Sequence, residues 1–241
     1  MRFMFSFDCF QEKKLVLIVD LNGTLIHSTY KPSKKQAQEA SCETVQVKNF
    51  PSNKKCYVSV RPGAEKFLHL ASQFYHIYVC TEGGKDYSKA MIRLLDPHGE
   101  IFQGVIACDT KAEWGSKADQ VEKICDDESL VCIMDDIKCS WPVRHNVLGV
   151  KRYTHFMDDG TIHTDKHEDQ YLLNVASALE KIHSEFFLSY ELEGRFLGHK
   201  FLLKNIFKTV VSDAKVSAEH FPHYSYFPKM QESSVEGCIL M

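Results

Sequence analysis

KLVLIVDLNGTLIHST (Lys14–Thr29) opens with the stretch that decides the fold. Leu15 to Val19 is an unbroken run of five apolar residues, closed by a carboxylate at Asp20. A strand exposed on one face alternates apolar and polar residues, whereas a strand buried on both faces does not. The run therefore predicts a central strand of a parallel sheet, with Asp20 at its carboxyl end.

The same signature returns downstream. HIYVC (His76–Cys80) ends at Thr81, and LVCIM (Leu130–Met134) ends at Asp135-Asp136. Cys56–Val60, Gly104–Cys108 and Val147–Val150 read as further short strands. Between them lie helices. Arg61-Pro62-Gly63 opens one whose Phe67, Leu68, Ala71 and Phe74 fall at helical spacing. After the loop Glu82-Gly83-Gly84, Tyr87–Leu95 reads as a helix stopped by Asp96-Pro97, and another runs from Lys117 to Ile124. Strands alternating with helices predict an α/β domain with a doubly wound, mostly parallel sheet and helices on both faces. In such sheets ligands sit at the carboxyl ends of the strands, where Asp20, Thr81 and Asp135 stand.

The flanks read differently. MRFMFSFDCF at the start is apolar but broken by Asp8 and lacks a small-residue cleavage site, so it reads as a packing or fraying segment rather than a signal peptide. Tyr30 to about Lys55 is polar and reads as an insertion or mobile loop. Gln170–Phe187 has an amphipathic helical pattern, Phe196–Val211 reads as another helix or a basic strand pair, and Phe221–Met241 as loosely structured tail. Three parts result: a segment 1–13, a domain 14–187, and a partly helical extension 188–241.

Composition narrows the classes. In 241 residues, 44% are apolar, enough for a sizeable core, and the net charge of −3 with a pI near 6.5 argues against a nucleic-acid partner. Nine cysteines occur without a CxxC pair, which fits free thiols in a reducing compartment, nucleus or cytoplasm, better than a zinc site or disulfide framework. No apolar run approaches the ~20 residues of a membrane span.

The strand-end residues suggest phosphoryl transfer. A carboxylate such as Asp20 can attack phosphorus and form an aspartyl-phosphate once charge is neutralised. Mg2+ held by Asp20, Asp135 and Asp136 would do this, with the Thr81 hydroxyl and the Lys117 ammonium on the phosphate oxygens. Read alone, Asp20 is a strand-end turn residue, Asp135-Asp136 a helix cap, and Thr81 or Lys117 carries no message. Their order, each at or just ahead of a strand end, makes them a candidate site.

At this level of detail the sequence resembles the phosphatases of the RNA polymerase II C-terminal domain (CTD), members of the haloacid dehalogenase superfamily. The resemblance rests on KLVLIVDLNGTLIHST, VRPGAEKFL (Val60–Leu68), IYVCTEGGKDYSKAMIRLLDPHGEIF (Ile77–Phe102), SLVCIMDDIKCSW (Ser129–Trp141) leading into HNVLGVKRYTHF (His145–Phe156), and KIHSEFF (Lys181–Phe187). It is closer to the large transcription-recycling, TFIIF-associating branch than to the small CTD phosphatases. It implies Asp20 as nucleophile and Mg2+ ligand, a backbone carbonyl of Asn22 on the metal, Thr81, Gly83 and Lys117 on the phosphate, and Asp135 and Asp136 completing the metal site and orienting Lys117. The implied substrate is phosphoserine or phosphothreonine in an extended protein segment, such as the polymerase tail.

Three departures from that pattern stand out. Asn22 occupies the place of a second Asp that acts as general acid and base. An amide can neither protonate a leaving seryl oxygen nor activate water, which predicts turnover slower by on the order of 10²–10⁴. A pseudophosphatase that binds phosphopeptides without turnover is the alternative. Cys108 stands where the family shows an arginine near the substrate, and no BRCT-like domain is recognisable after Phe187. The last residues, Cys238-Ile239-Leu240-Met241, match a prenylation signal, with Met favouring farnesyl. With no basic cluster in QESSVEG (Gln231–Gly237), one prenyl chain at Cys238 implies weak, reversible association with cytoplasmic membrane faces.

Overall fold

Strand β1 (Leu15–Val19) is fully buried along its length in the computed structural model, which describes residues 3–30, 32–38, 43–46, 55–109, 117–137, 141, 146–163, 168–194 and 202–214. Removing each of these aliphatic side chains from water contributes about 1.5–3 kcal/mol, so the strand anchors the core. It pairs in parallel with β5 (Tyr75–Cys80) on one side and β7 (Val131–Asp135) on the other. Beyond them lie β6 (Phe102–Ile106) and β8 (Val147–Gly149), giving the order β6-β5-β1-β7-β8 with every pairing parallel. The chain winds outward from β1 through β5 to β6, then crosses to β7 and β8. The reversal opens a crevice at the carboxyl ends of β1 and β7.

Backbone hydrogen bonds extend the ladders past the strand ends. Asp20 N donates to Met134 O (3.0 Å), Thr81 N to Ile106 O (3.0 Å) and Val150 N to Asp135 O (3.0 Å). Three of the strand-end residues singled out by sequence are thus fixed by the sheet itself.

Helix α3 (Ala64–Ala71) packs against α6 (Glu168–Ser189), which is covered in turn by α7 (Leu202–Ala214). The Tyr75 hydroxyl donates to Leu179 O (2.7 Å), tying α6 to the sheet. For Phe196–Val211 the choice between helix and strand pair is resolved by α7, whose buried Leu203, Phe207, Val210 and Val211 follow helical spacing. The start of the chain packs rather than frays. Met4 is fully buried and its N–H donates to Ile124 O (2.8 Å), and α1 (Ser6–Glu12) stacks Phe10 on Tyr190 at 4.4 Å.

The strand expected at Gly104–Cys108 begins earlier, at Phe102, because the Asp96 carboxylate accepts from the N–H groups of Glu100, Ile101 and Phe102 and launches the chain there. Cys108 lies beyond its end. The insertion reading of Tyr30 to Lys55 needs correction. It contains α2 (Lys34–Gln38) and β3 (Glu43–Gln46), and β3 joins an antiparallel sheet in the order β2-β4-β3 with β2 (Ile26–Thr29) and β4 (Lys55–Val60). What holds α2 is polar. Buried Gln36 donates to Met157 O (3.0 Å) and Thr161 O (2.7 Å). Two further helices among the described residues are α4 (Lys85–Leu95) and α5 (Lys117–Glu122). No helix among the described residues is long and apolar enough to cross a membrane.

A buried cation joins the loops above the crevice. Arg61, at the start of α3, is 0% exposed. Its Nη1 donates to Thr24 O (3.1 Å) and Lys151 O (2.8 Å), and its guanidinium lies 4.7 Å from the Tyr171 ring centroid and 5.6 Å from that of Tyr153. The Tyr171 hydroxyl accepts from Lys151 N (2.6 Å), closing the arrangement. Arg61→Met removes the donors and strands two buried carbonyls, so it should lower unfolding free energy by about 2–4 kcal/mol in urea melts. An unchanged midpoint would show that the two carbonyls find other donors.

Candidate functional site

The turn after β1 is built to bring a carboxylate close. Leu21 O accepts from Thr24, Leu25 and Ile26 N–H, and Gly23 N donates to Ile26 O (2.8 Å). Gly23 sits at φ +93°, where a side chain is strained, and a Cβ there would lie 2.7 Å from Asp136 Oδ2. Only glycine lets the turn and the carboxylate share this space. The carboxylates of Asp20, Asp135 and Asp136 offer oxygen atoms that all lie within 4.8 Å of one another. Such an oxygen-only, strongly anionic set can hold a hard divalent cation.

Each of the last two acids has its own support. Asp135 is buried, and its oxygens accept from Ile137 N (2.7 Å) and the indole of Trp141 (2.6 Å). A carboxylate has lone pairs beyond these two bonds, so the ligand role remains open to it. Asp136, its side chain 3% exposed, pairs with Arg152 Nη1 at 3.2 Å. Asn22 turns its amide oxygen toward Ser28, accepting from Ser28 N (3.0 Å) and Oγ (3.4 Å). The carbonyls of Leu21, Gly23, Thr24 and Leu25 all accept within the fold, whereas Asn22 O accepts no hydrogen bond from the described residues.

The opposite wall comes from the end of β5. Thr81 is buried, and its Oγ1 accepts from Gly83 N (3.2 Å). Gly83 lies against Tyr87, where a Cβ would collide with the ring, and the Tyr87 hydroxyl hydrogen-bonds Ser28 Oγ (2.9 Å). Burial pushes the Tyr87 phenol well above its ordinary range, so it stays neutral. Asp109 accepts from Lys85 N (2.9 Å) and faces Lys85 Nζ at 3.6 Å, at the head of α4. Cys108, in the place where the resemblance expects an arginine, is a half-buried free thiol. Lys117 opens α5, but its side chain lies outside the described residues, as does Cys238. The fold thus gathers Asp20, Asn22, Asp135 and Asp136 around one crevice, with Thr81 and Gly83 on the neighbouring strand end.

Arg152, His27 and Trp141 entered the sequence reading only as members of matched stretches, with no role of their own. Arg152 and Trp141 act across 16 and 6 positions of chain, spacings that carry no helical or strand periodicity. His27 Nδ1 accepts from His155 N (2.8 Å) and Phe156 N (3.0 Å), binding β2 to the loop after β8.

Two outcomes test this geometry. Gly23→Ala should cost about 1–3 kcal/mol in stability and weaken divalent-cation binding measured by calorimetry. Gly99→Ala, at φ +72° with nothing within 4 Å of the added Cβ, should show the backbone cost without the binding loss. Burial, with Arg152 and His155 adding to it, holds the His27 imidazole down at about 4. A depressed folded-state value means its contribution is complete above the unfolded value of ~6.5 and is lost as pH falls through 4. Urea melts should therefore show about 3 kcal/mol fading across that window, flattened in His27→Asn, whose Oδ1 can accept the same donors without titrating.

The chain resembles known proteins over most of its described length. A family model described as NLI interacting factor-like phosphatase matches residues 15–188. The chain is 26% identical over 200 residues to the RNA polymerase II C-terminal domain phosphatase of Caenorhabditis elegans, covering 76% of this chain and 30% of that protein. It is 30% identical over 168 residues to the protein of the same name from Schizosaccharomyces pombe, covering 64% and 23%. The chain thus spans less than a third of either relative. Fission yeast Fcp1 bound to beryllium fluoride, an RNA polymerase II CTD phosphatase, superimposes with a TM-score of 0.68 at 22% identity, over 80% of this chain and 68% of that one. The likeness in structure extends the α/β sheet and its helical C-terminal part to a known haloacid dehalogenase-type fold. With the family model covering most of its length, the chain belongs to the NLI interacting factor-like phosphatase family.

Proposed function

We propose that this chain is a metal-assisted phosphoprotein phosphatase that moves the phosphoryl group of a phosphoserine or phosphothreonine peptide onto Asp20. The observation that carries the reading is the trio Asp20, Asp135 and Asp136, within 4.8 Å of one another at the crevice where the sheet reverses. A carboxylate cluster of this kind, with no nitrogen or sulfur donor in the set, fits Mg2+ rather than a softer metal, and the resemblance adds the backbone carbonyl of Asn22 as a further ligand. Bound there, the ion would neutralise charge on the nucleophile and the phosphate.

The side chains divide the remaining work. Asp20 attacks phosphorus as the P–O bond to the seryl oxygen breaks, leaving an aspartyl-phosphate that water then cleaves. The Thr81 hydroxyl at the end of β5 would donate to the phosphate beside Gly83, and the resemblance assigns Lys117 as the phosphate-binding cation. Asp135, held by Trp141, and Asp136, held by Arg152, keep the acidic face rigid. The missing part is a proton carrier. Asn22 cannot deliver a proton to the leaving oxygen or take one from water, so solvent must do both. Its relatives' names point to the phosphorylated C-terminal tail of RNA polymerase II as the substrate.

A second reading is favoured by the same residue. With Asn22 in place of an acid, the chain would bind phosphopeptide through the same groups and release it unchanged. Purified protein with Mg2+ and a phosphoserine peptide separates the two. Slow hydrolysis is expected, abolished by Asp20→Asn or by EDTA, and raised by about 10²–10⁴ in Asn22→Asp. An inactive native protein that gains turnover in Asn22→Asp would make it a binding module. Inactivity in both would contradict Asp20 as the nucleophile.

A further inference from the structure

Arg152 is placed to do more than accompany Asp136. It follows β8 on a loop pinned to the turn after β1, where Tyr153 N donates to Gly23 O (2.7 Å) and Lys151 O accepts from Arg61 (2.8 Å). Its side chain is 36% exposed, while the Asp136 side chain it touches is 3% exposed. The guanidinium therefore stands on the solvent side of Asp136, at the edge of the acidic cluster. Its contact with Asp136 runs through a single nitrogen, Nη1, whereas a guanidinium carries five N–H donors in a planar fork suited to carboxylate and phosphate.

The neighbourhood suits an anion. His27 accepts at Nδ1 from two backbone N–H groups, so as a neutral ring it carries its proton on Nε2 and is a donor there. Arg152 lies near enough to His27 for its charge to help burial keep that ring neutral. Its distance from the nucleophile follows from the sheet. Thr81 follows β5, one strand from β1, while Arg152 follows β8, two strands away on the other side. At about 4.8 Å per strand, the two sides are separated from Asp20 by roughly 5 and 10 Å. An extended peptide advances about 3.3 Å per residue, so a residue two or three positions from the scissile phosphoserine comes abreast of Arg152.

We infer that Arg152 is a specificity-determining residue that reads a second anionic group, phosphoserine or carboxylate, two or three residues from the phosphoserine bound at Asp20. The inference rests on the phosphatase-site reading above and deepens it by naming the substrate class: doubly phosphorylated or acid-flanked peptides. It also accounts for the cation lost at Cys108. The recognition charge comes from the β8 side of the crevice instead.

The test compares peptides carrying one phosphoserine with peptides carrying a second phosphoserine or a glutamate two or three residues to either side. For the native protein the doubly anionic peptides should be favoured about tenfold in kcat/KM, through KM rather than kcat. Arg152→Gln should reduce that ratio to near one, and Arg152→Lys, which keeps the charge and loses the fork, should retain part of it. The same ratio is read as Kd by fluorescence anisotropy in an Asp20→Asn background. Failure of all forms to hydrolyse any peptide would sink the catalytic reading alone, because the anisotropy ratio still decides this one. A ratio equal in native protein and Arg152→Gln, even with both peptides weakened together, overturns it and leaves Arg152 a positioning residue for Asp136. Should Arg152→Gln fail to fold, an undiminished ratio in Arg152→Lys counts against the inference in the same way.

Discussion

Carboxylates as close as those of Asp20, Asp135 and Asp136 repel one another, by roughly 4 kcal/mol per pair at about 4 Å for an effective dielectric near 20. A fold that brings three of them within 4.8 Å must supply the opposing interactions, and much of this structure does so. Trp141 and the Ile137 N–H hold Asp135, Arg152 holds Asp136, and Gly23 gives up a side chain so that the turn can lie against the Asp136 oxygens. The sheet fixes the backbones of Asp20 and Asp135 through ladders that continue past the strand ends. A cluster assembled at such electrostatic cost can receive a divalent cation, on which the proposed phosphoryl chemistry depends.

Arg61 connects this cluster to the rest of the molecule. Buried between Tyr153 and Tyr171, it bonds the carbonyls of Thr24 and Lys151. One carbonyl belongs to the turn carrying Asn22 and Gly23, the other to the loop carrying Arg152. The two sides of the crevice and helix α6 are thereby joined by a single side chain, so the spacing between the Asp20 turn and the Arg152 loop is a property of the core. Asn22 and Cys108 mark where this chain departs from the phosphatases it resembles. Asn22 bonds Ser28, which bonds Tyr87, in a neutral network that stiffens the turn but carries neither an acid nor a base.

The central sheet was legible because its strands are buried on both faces and read as continuous apolar runs. Asp20, Thr81 and Asp135 stood out because each ends such a run. The small antiparallel sheet was not legible for the opposite reason. IHST and ETVQ are four residues each, held by backbone pairing to β4, and α2 is docked by the amide of Gln36 rather than by an apolar stripe. The roles of Arg152 and His27 were invisible because an ion pair or ring contact between distant loops leaves no period in the sequence. The turn after β1 showed its DLNGT string in sequence, but its geometric reason, the 2.7 Å approach of Gly23 to Asp136, appears only in three dimensions.

Covalent capture tests the central claim most directly. Protein mixed with Mg2+ and a phosphopeptide or small phosphate ester, quenched in acid and mapped by mass spectrometry, should carry one phosphoryl group on the peptide containing Asp20, lost on brief alkaline treatment. With no base at residue 22 to activate water, an ester whose leaving group needs no proton should leave that adduct standing in the native protein. Its absence from native protein, or its presence on Ser28 or Thr81 instead, would contradict the assignment of Asp20 as the residue that receives the phosphate.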